Sequence, residues 1–199
     1  MARRSTAVDP QDLLFLNPDG TSPSGLTFGV LRKTYAGHMN SALSFGWRKA
    51  HLGRDPDDAD LTRWAPNAER VEVILPAAAD EMLTNAATLL GQMDAHASEC
   101  EKALLLYLTL PLGDMDRVHV GFERARSFSV QLARDRHLAT VLVLHAPGVI
   151  NQPYPLHAHC LIVPRRITGL GLRYGLYDDE LIHDSGQAVI EAMWLDHIA

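Results

Sequence analysis

Hydrophobic and polar positions alternate through "ERVEVILP", where Arg70, Glu72 and Ile74 fall on one side and Val71, Val73 and Leu75 on the other. That two-residue period is a strand's, and Pro76 ends it. "KALLLYLTLP" (102–111) is almost continuously apolar, which predicts a strand central in its sheet. From Met115 the period changes: Met115, Val118, Phe122, Ala125, Phe128 and Leu132 recur every three or four residues, the buried stripe of a long helix. "ATVLVLH" and "HAHCLIVP" read as strands joined by the loop "APGVINQPYPL", and "LTFGVLRKTY" (26–35) reads as the first strand. Helices are predicted from near Asn40, over about 78–97, and in "SGQAVIEAMWLDHI" with Ser185 as cap. The order β α β α β α β β α predicts an α+β fold with a mainly antiparallel sheet backed by helices. Residues 1–25, punctuated by Pro and Gly, are expected to form an irregular arm with one helical turn around "PQDLLFL", and 26–199 a single domain.

Composition narrows the class. Apolar residues make up 47% and charged residues 21% of the 199, the mixture of a globular protein. No apolar run approaches the roughly 18 residues of a membrane span, and the first residues lack a signal peptide's pattern, so a cytoplasmic location with no membrane partner is expected. Cys100 and Cys160 are too few for a disulfide framework and are expected to be reduced and buried. The net charge of −6 argues against a surface that binds nucleic acid all over. A local basic groove is compatible with it, and Arg32, Lys33, Arg48, Lys49, Arg54, Arg165, Arg166 and Arg173 are the residues available to build one.

The strongest chemical signal lies in residues 141–166, which hold three of the ten histidines. His157 and His159 share one face of a strand, and Ala158 and Cys160 take the other. His145 closes the preceding strand. If these strands are hairpin partners, topology alone brings His145 beside His157. Three imidazoles meeting at a sheet end leave coordination positions open, as a catalytic metal requires. The alternative is a hairpin whose histidines bind no metal, and the residues by themselves leave both readings open.

These residues resemble those of the MobA/MobL plasmid mobilization relaxases. The likeness lies in His145 followed by "PLHAH" and an apolar strand ending in Arg165; in "RVEVILP" and "KALLLYLTLP"; and in "LTFGVLRKTYAGHMNSALSFGWRK", so that about 26–166 is covered. The resemblance implies an HUH endonuclease fold, a five-stranded antiparallel sheet flanked by helices. It implies a divalent ion, Mn²⁺ or Mg²⁺, on His145, His157 and His159, and a tyrosine that attacks single-stranded origin-of-transfer DNA to leave a 5′-phosphotyrosine. It also places Glu72 where the family keeps an acidic residue that orients an imidazole or moves a proton.

The chain departs from that family at the nucleophile. Trp47, in "FGWRK", stands close to the family's tyrosine, and an indole cannot attack phosphorus. Tyr35 is the nearest phenol and the expected catalytic residue, with Tyr154 a second choice. The sequence reaches Ala199 without the helicase or primase regions that often follow in the family, so a minimal or decayed relaxase domain is expected. The expected function is metal-dependent nicking of single-stranded or hairpin plasmid DNA in mobilization. Two other readings stay open: a relative without nucleophile that binds DNA or an accessory mobilization protein, and a metallo-phosphoesterase for small molecules.

Overall fold

A computed structural model describes residues 8–113, 115, 117–150, 154–169, 171–172 and 175–199. Arg173, and residues 151–153 in the loop between the histidines, lie outside the described residues. A short 3₁₀ turn, Pro10–Leu13, leads into β1 (Phe15–Leu16) and β2 (Thr27–Leu31). The small hairpin β3 (Thr34–Tyr35) and β4 (His38–Met39) precedes α1 (Ala42–Ala50). Then follow β5 (Arg70–Ile74), α2 (Ala86–His96), β6 (Leu105–Pro111), α3 (Val118–Arg136), β7 (Thr140–His145), β8 (His157–Ile162) and α4 (Gly186–Ile198).

The main sheet has six strands in the order β1-β2-β6-β8-β7-β5, every neighbouring pair antiparallel. The expected count of five is corrected to six. The extra strand comes from the segment expected to be an irregular arm: Phe15 pairs with Val30 and Leu16 with Gly29. Two residues are too few to show a period, which hid this strand in the sequence.

Alternation divides the sheet into two cores. One face carries Phe28, Val30, Leu106, Leu108, Leu142, Leu144, Ala158 and Cys160 against Phe122, Ala125 and Phe128 of α3, with Trp194 of α4 behind. The other carries Leu105, Tyr107, Val141, Val143 and Leu161 against Phe45 of α1 and Leu89, Leu90 and Met93 of α2. Strands β6, β7 and β8 are thus covered on both sides, which is why they read as nearly unbroken apolar runs. Cys160 lies in the first core; Cys100 is exposed, against the expectation that both thiols are buried, and both are free.

Helix α1 is held at each end. At its start Ser41 Oγ accepts from the Ser44 N–H at 3.0 Å. The Asp94 carboxylate of α2 accepts from the N–H groups of Ala42 (2.7 Å) and Leu43 (3.0 Å) and from Ser41 Oγ (2.6 Å). These bonds satisfy donors that a helix leaves open and put a negative charge at the positive end of its dipole. Along its length Gly46 lies so close to Leu90 that a Cβ would collide with Leu90 Cδ1.

Gly46→Val should therefore destabilise the protein. Relief of glycine's helix penalty returns at most about 1 kcal/mol, whereas overpacking a buried contact costs roughly 1–3 kcal/mol. The urea midpoint is expected to fall; an unchanged midpoint would show that α1 and α2 do not pack this closely.

Candidate metal centre

The hairpin register sets the site. In the pairing of β7 with β8, His145 opposes His157 and Val143 opposes His159. Val143 and His145 share a face, so all three imidazoles lie on the side of the sheet covered by α1 and α2. One ring nitrogen from each lies within 4.8 Å of the other two. The ring centroids are 4.6 Å apart for His145 and His159, 4.9 Å for His157 and His159, and 5.2 Å for His145 and His157. The three side chains could hold a metal ion.

Their hydrogen bonds fit that use. His145 Nε2 is 2.8 Å from the Lys49 carbonyl near the end of α1, and donates to it. His157 Nδ1 donates to the Pro155 carbonyl at 2.9 Å. His159 Nδ1 meets two hydroxyls, Tyr107 Oη at 2.9 Å and Thr109 Oγ1 at 3.1 Å. Each ring thus has one nitrogen engaged by the protein and the other left for a cation, the outer-shell arrangement that fixes tautomer and orientation in metal-bound histidines. Burial also favours the neutral form of His145 and His159, the form that coordination requires. It brings the His145 pKa down to about 4, with the Lys49 carbonyl bond opposing and the charges of His157 and Lys49 assisting. His159 is pushed well below the usual imidazole value, first by burial and then by the charge of Lys49.

Lys49 stands behind the histidines, 9% exposed. Its Nζ donates to Tyr107 Oη at 3.2 Å and lies 4.7 Å above the Tyr107 ring. Burial lowers its pKa to about 8, against the pull of Asp9, so the ammonium keeps its charge at neutral pH. The site opens into a cleft of about 490 Å³ whose lining includes the three histidines, Lys49, Tyr107 and Tyr154. Among the described residues lining it there is no Asp or Glu, although the chain as a whole carries a charge of −6.

The other expected site residues are placed differently. Glu72 pairs with Leu142, so it sits on the α3 face of the sheet, where it accepts from Arg126 Nε at 2.7 Å. The sheet separates it from the histidines, and in this geometry it orients none of them. Tyr35 is not in the first strand. The chain leaves the sheet after Leu31 and Tyr35 belongs to the β3–β4 hairpin, packed edge-on against Phe15. That hairpin follows the Leu31 end of β2, whereas the histidines lie toward the Thr27 end, opposite Thr109. Trp47 is buried in α1, stacked on His51 with centroids 4.2 Å apart. Tyr154, 66% exposed, is the phenol at the rim of the histidine cleft.

Sequence reasoning missed two contributors. Lys49 appeared only as one of several basic residues and Tyr107 only as part of the apolar run of its strand. A tyrosine within the apolar run "ALLLYLTLP" was the available signal for Tyr107, because its hydroxyl needs a partner when buried.

No protein-family model and no curated protein matches this chain. The fold is shared with a chain solved in work on the molecular basis of vancomycin resistance transfer in Staphylococcus aureus. The TM-score is 0.60 at 15% identity, over 87% of this chain and 91% of that one. Among the described residues no helix is long and apolar enough to cross a membrane.

Two outcomes follow. In metal-free protein, His145 folds with its pKa near 4 while the unfolded chain takes up a proton near 6.5. The unfolded state therefore binds more protons between those values, and stability falls as pH drops through that window, by on the order of 3 kcal/mol for this ring. Urea unfolding in chelator at pH 7 and pH 4.5 should show the loss, and His145→Gln should reduce it. Second, Tyr107→Phe removes the hydroxyl beside His159 and should weaken Mn²⁺ binding by roughly 10–100-fold in calorimetric titration. Equal affinity would mean that the hydroxyl does not hold the ring.

Proposed function

We propose that this protein is a divalent-metal-dependent relaxase of the MobA/MobL type, cutting and rejoining single-stranded origin-of-transfer DNA in plasmid mobilization. One observation carries the reading: three imidazoles converge on a common point, each with its second nitrogen already bound by the protein. Two others support it. The cleft beside them has no carboxylate among its described lining residues, which suits a polyanion. The fold is shared with a chain solved in work on resistance transfer, in keeping with the motif resemblance.

His145, His157 and His159 would hold the cation; three nitrogen donors suit Mn²⁺ better than Mg²⁺, which prefers oxygen. A bound divalent cation supplies positive charge that polarises a phosphodiester and stabilises charge developing on it. The chain's own residues do the rest. Tyr154, exposed at the rim, supplies the hydroxyl that attacks phosphorus, forming a Tyr–phosphate bond as the P–O3′ bond breaks and the 3′ oxygen takes up a proton. Tyr107 and the carbonyls of Lys49 and Pro155 keep the imidazoles aimed. Accessory mobilization proteins and a cytoplasmic setting belong to this reading as well.

Trp47 favours a second reading. Close to where the resemblance places the family's tyrosine, this chain has a buried indole stacked on His51. In that reading the domain retains metal and DNA binding without strand transfer.

Incubating the protein with labelled origin-region DNA and Mn²⁺, then denaturing it, separates the two. The relaxase reading expects a covalent adduct that is lost with chelator, with His157→Ala or His159→Ala, and with Tyr154→Phe, but kept with Tyr35→Phe. An adduct lost only in Tyr35→Phe would move the nucleophile. DNA binding without an adduct supports the second reading, and absence of both metal and DNA binding would remove the proposal.

A further inference from the structure

We propose that the Lys49 ammonium forms an anion-binding subsite in the histidine cleft, taking a phosphate oxygen of the bound ligand. The identity of that ligand as single-stranded DNA rests on the reading above; the subsite rests on the structure of the cleft.

A buried ammonium is costly unless its charge is balanced and its donors are used. Elsewhere the molecule follows this rule. The Arg165 guanidinium reaches Glu101 at 2.9 Å, and Arg136 reaches Asp178 at 3.0 Å. Lys49 is as buried as Arg165, each 9% exposed, yet among the described residues it forms no ion pair. Its hydrogen bond goes to the neutral hydroxyl of Tyr107, and its remaining contacts are the ring faces of Tyr107 and Phe45, at 4.7 and 5.5 Å. A lysine head carries three N–H donors, so two remain after Tyr107 is served.

The side chain also borders the cleft, and the described lining offers it no carboxylate. The neighbouring cation in that lining, Arg48, is turned toward Asp55 at 4.0 Å. Asp9 pulls on Lys49 only from beyond ion-pair distance, so among the described residues it is the deep positive charge of the cleft without an ion-pair partner. Loading the three histidines with a divalent ion adds positive charge and makes an anion more strongly required. A compact ammonium binds phosphate as a point charge, and the Tyr107 hydroxyl holds it in place between the ring and the cleft.

The test compares wild type with Lys49→Met and Lys49→Arg in chelator, so that cation binding does not enter. Anisotropy of a fluorescein-labelled mixed-sequence oligodeoxynucleotide is followed across a salt series, and inorganic phosphate is titrated by calorimetry; thermal midpoints confirm folding. Lys49→Met is expected to weaken oligonucleotide binding about tenfold and to flatten the log K against log salt slope by about 0.7, one phosphate contact on a single strand. Lys49→Arg keeps the charge and should retain most of the slope. Unchanged affinity and slope in a folded Lys49→Met protein would overturn the subsite. Phosphate binding that is lost in Lys49→Met, with no oligonucleotide binding by wild type, would uphold the subsite and overturn DNA as its occupant. Binding of neither ligand by wild type would overturn both.

Discussion

The pairing of His145 with His157 across β7 and β8 is the constraint on which the site depends, because side chains alternate between two faces that are both buried. A slip of one residue in β8 would send His157 and His159 into the α3 core and bring Ala158 and Cys160 to the α1 side. Imidazoles would then enter the core that Phe122, Ala125 and Phe128 of α3 fill, at a cost of a few kcal/mol for each polar ring buried there without a partner. The apolar residues of β8 thus hold the histidines in register. Ala158, Cys160 and Ile162 fill one core while Leu161 fills the other, and only the end of the strand is left for chemistry.

Helix α1 joins this sheet end to the rest of the fold. Its N-terminus is fixed by Asp94 and its C-terminal turn supplies the Lys49 carbonyl to His145. Carbonyls in the last turn of a helix lack an intrahelical partner, and an imidazole N–H is a good donor to one. The same residue places its ammonium against Tyr107, which in turn meets His159. A displacement of α1 would therefore disturb two of the three rings together. This explains why a small residue, Gly46, sits where α1 meets α2: close approach sets the depth at which Lys49 reaches the sheet.

The hairpin histidines were legible because their information is local. A two-residue period and one chain reversal suffice to bring them together. The four long helices and the five longer strands were legible for the same reason. Glu72 was not, since alternation tells that it opposes Val71 and Val73 but not which face meets α3; that depends on β5 lying at the edge beside β7. Tyr35 misled because "LTFGVLRKTY" keeps its strand-forming character past Leu31, where the chain in fact turns away into a second, smaller sheet. Lys49 and Tyr107 come from segments 58 residues apart, joined only by tertiary packing. No pattern along the chain announces such a pair.

The electrostatics of the cleft set the terms of any encounter with a polyanion. A chain of net charge −6 repels one at long range, but at 0.1 M salt the field of exposed charges fades over about 10 Å. Lys49 is buried and less screened, so its attraction is felt at contact rather than from a distance. Such a protein does not gather nucleic acid by broad electrostatic steering, as a basic surface would. On the proposed reading an anionic segment enters the cleft, where the three histidines and the Lys49 ammonium lie together. Selectivity on that reading comes from the cleft itself, because the net negative charge of the chain disfavours a polyanion elsewhere.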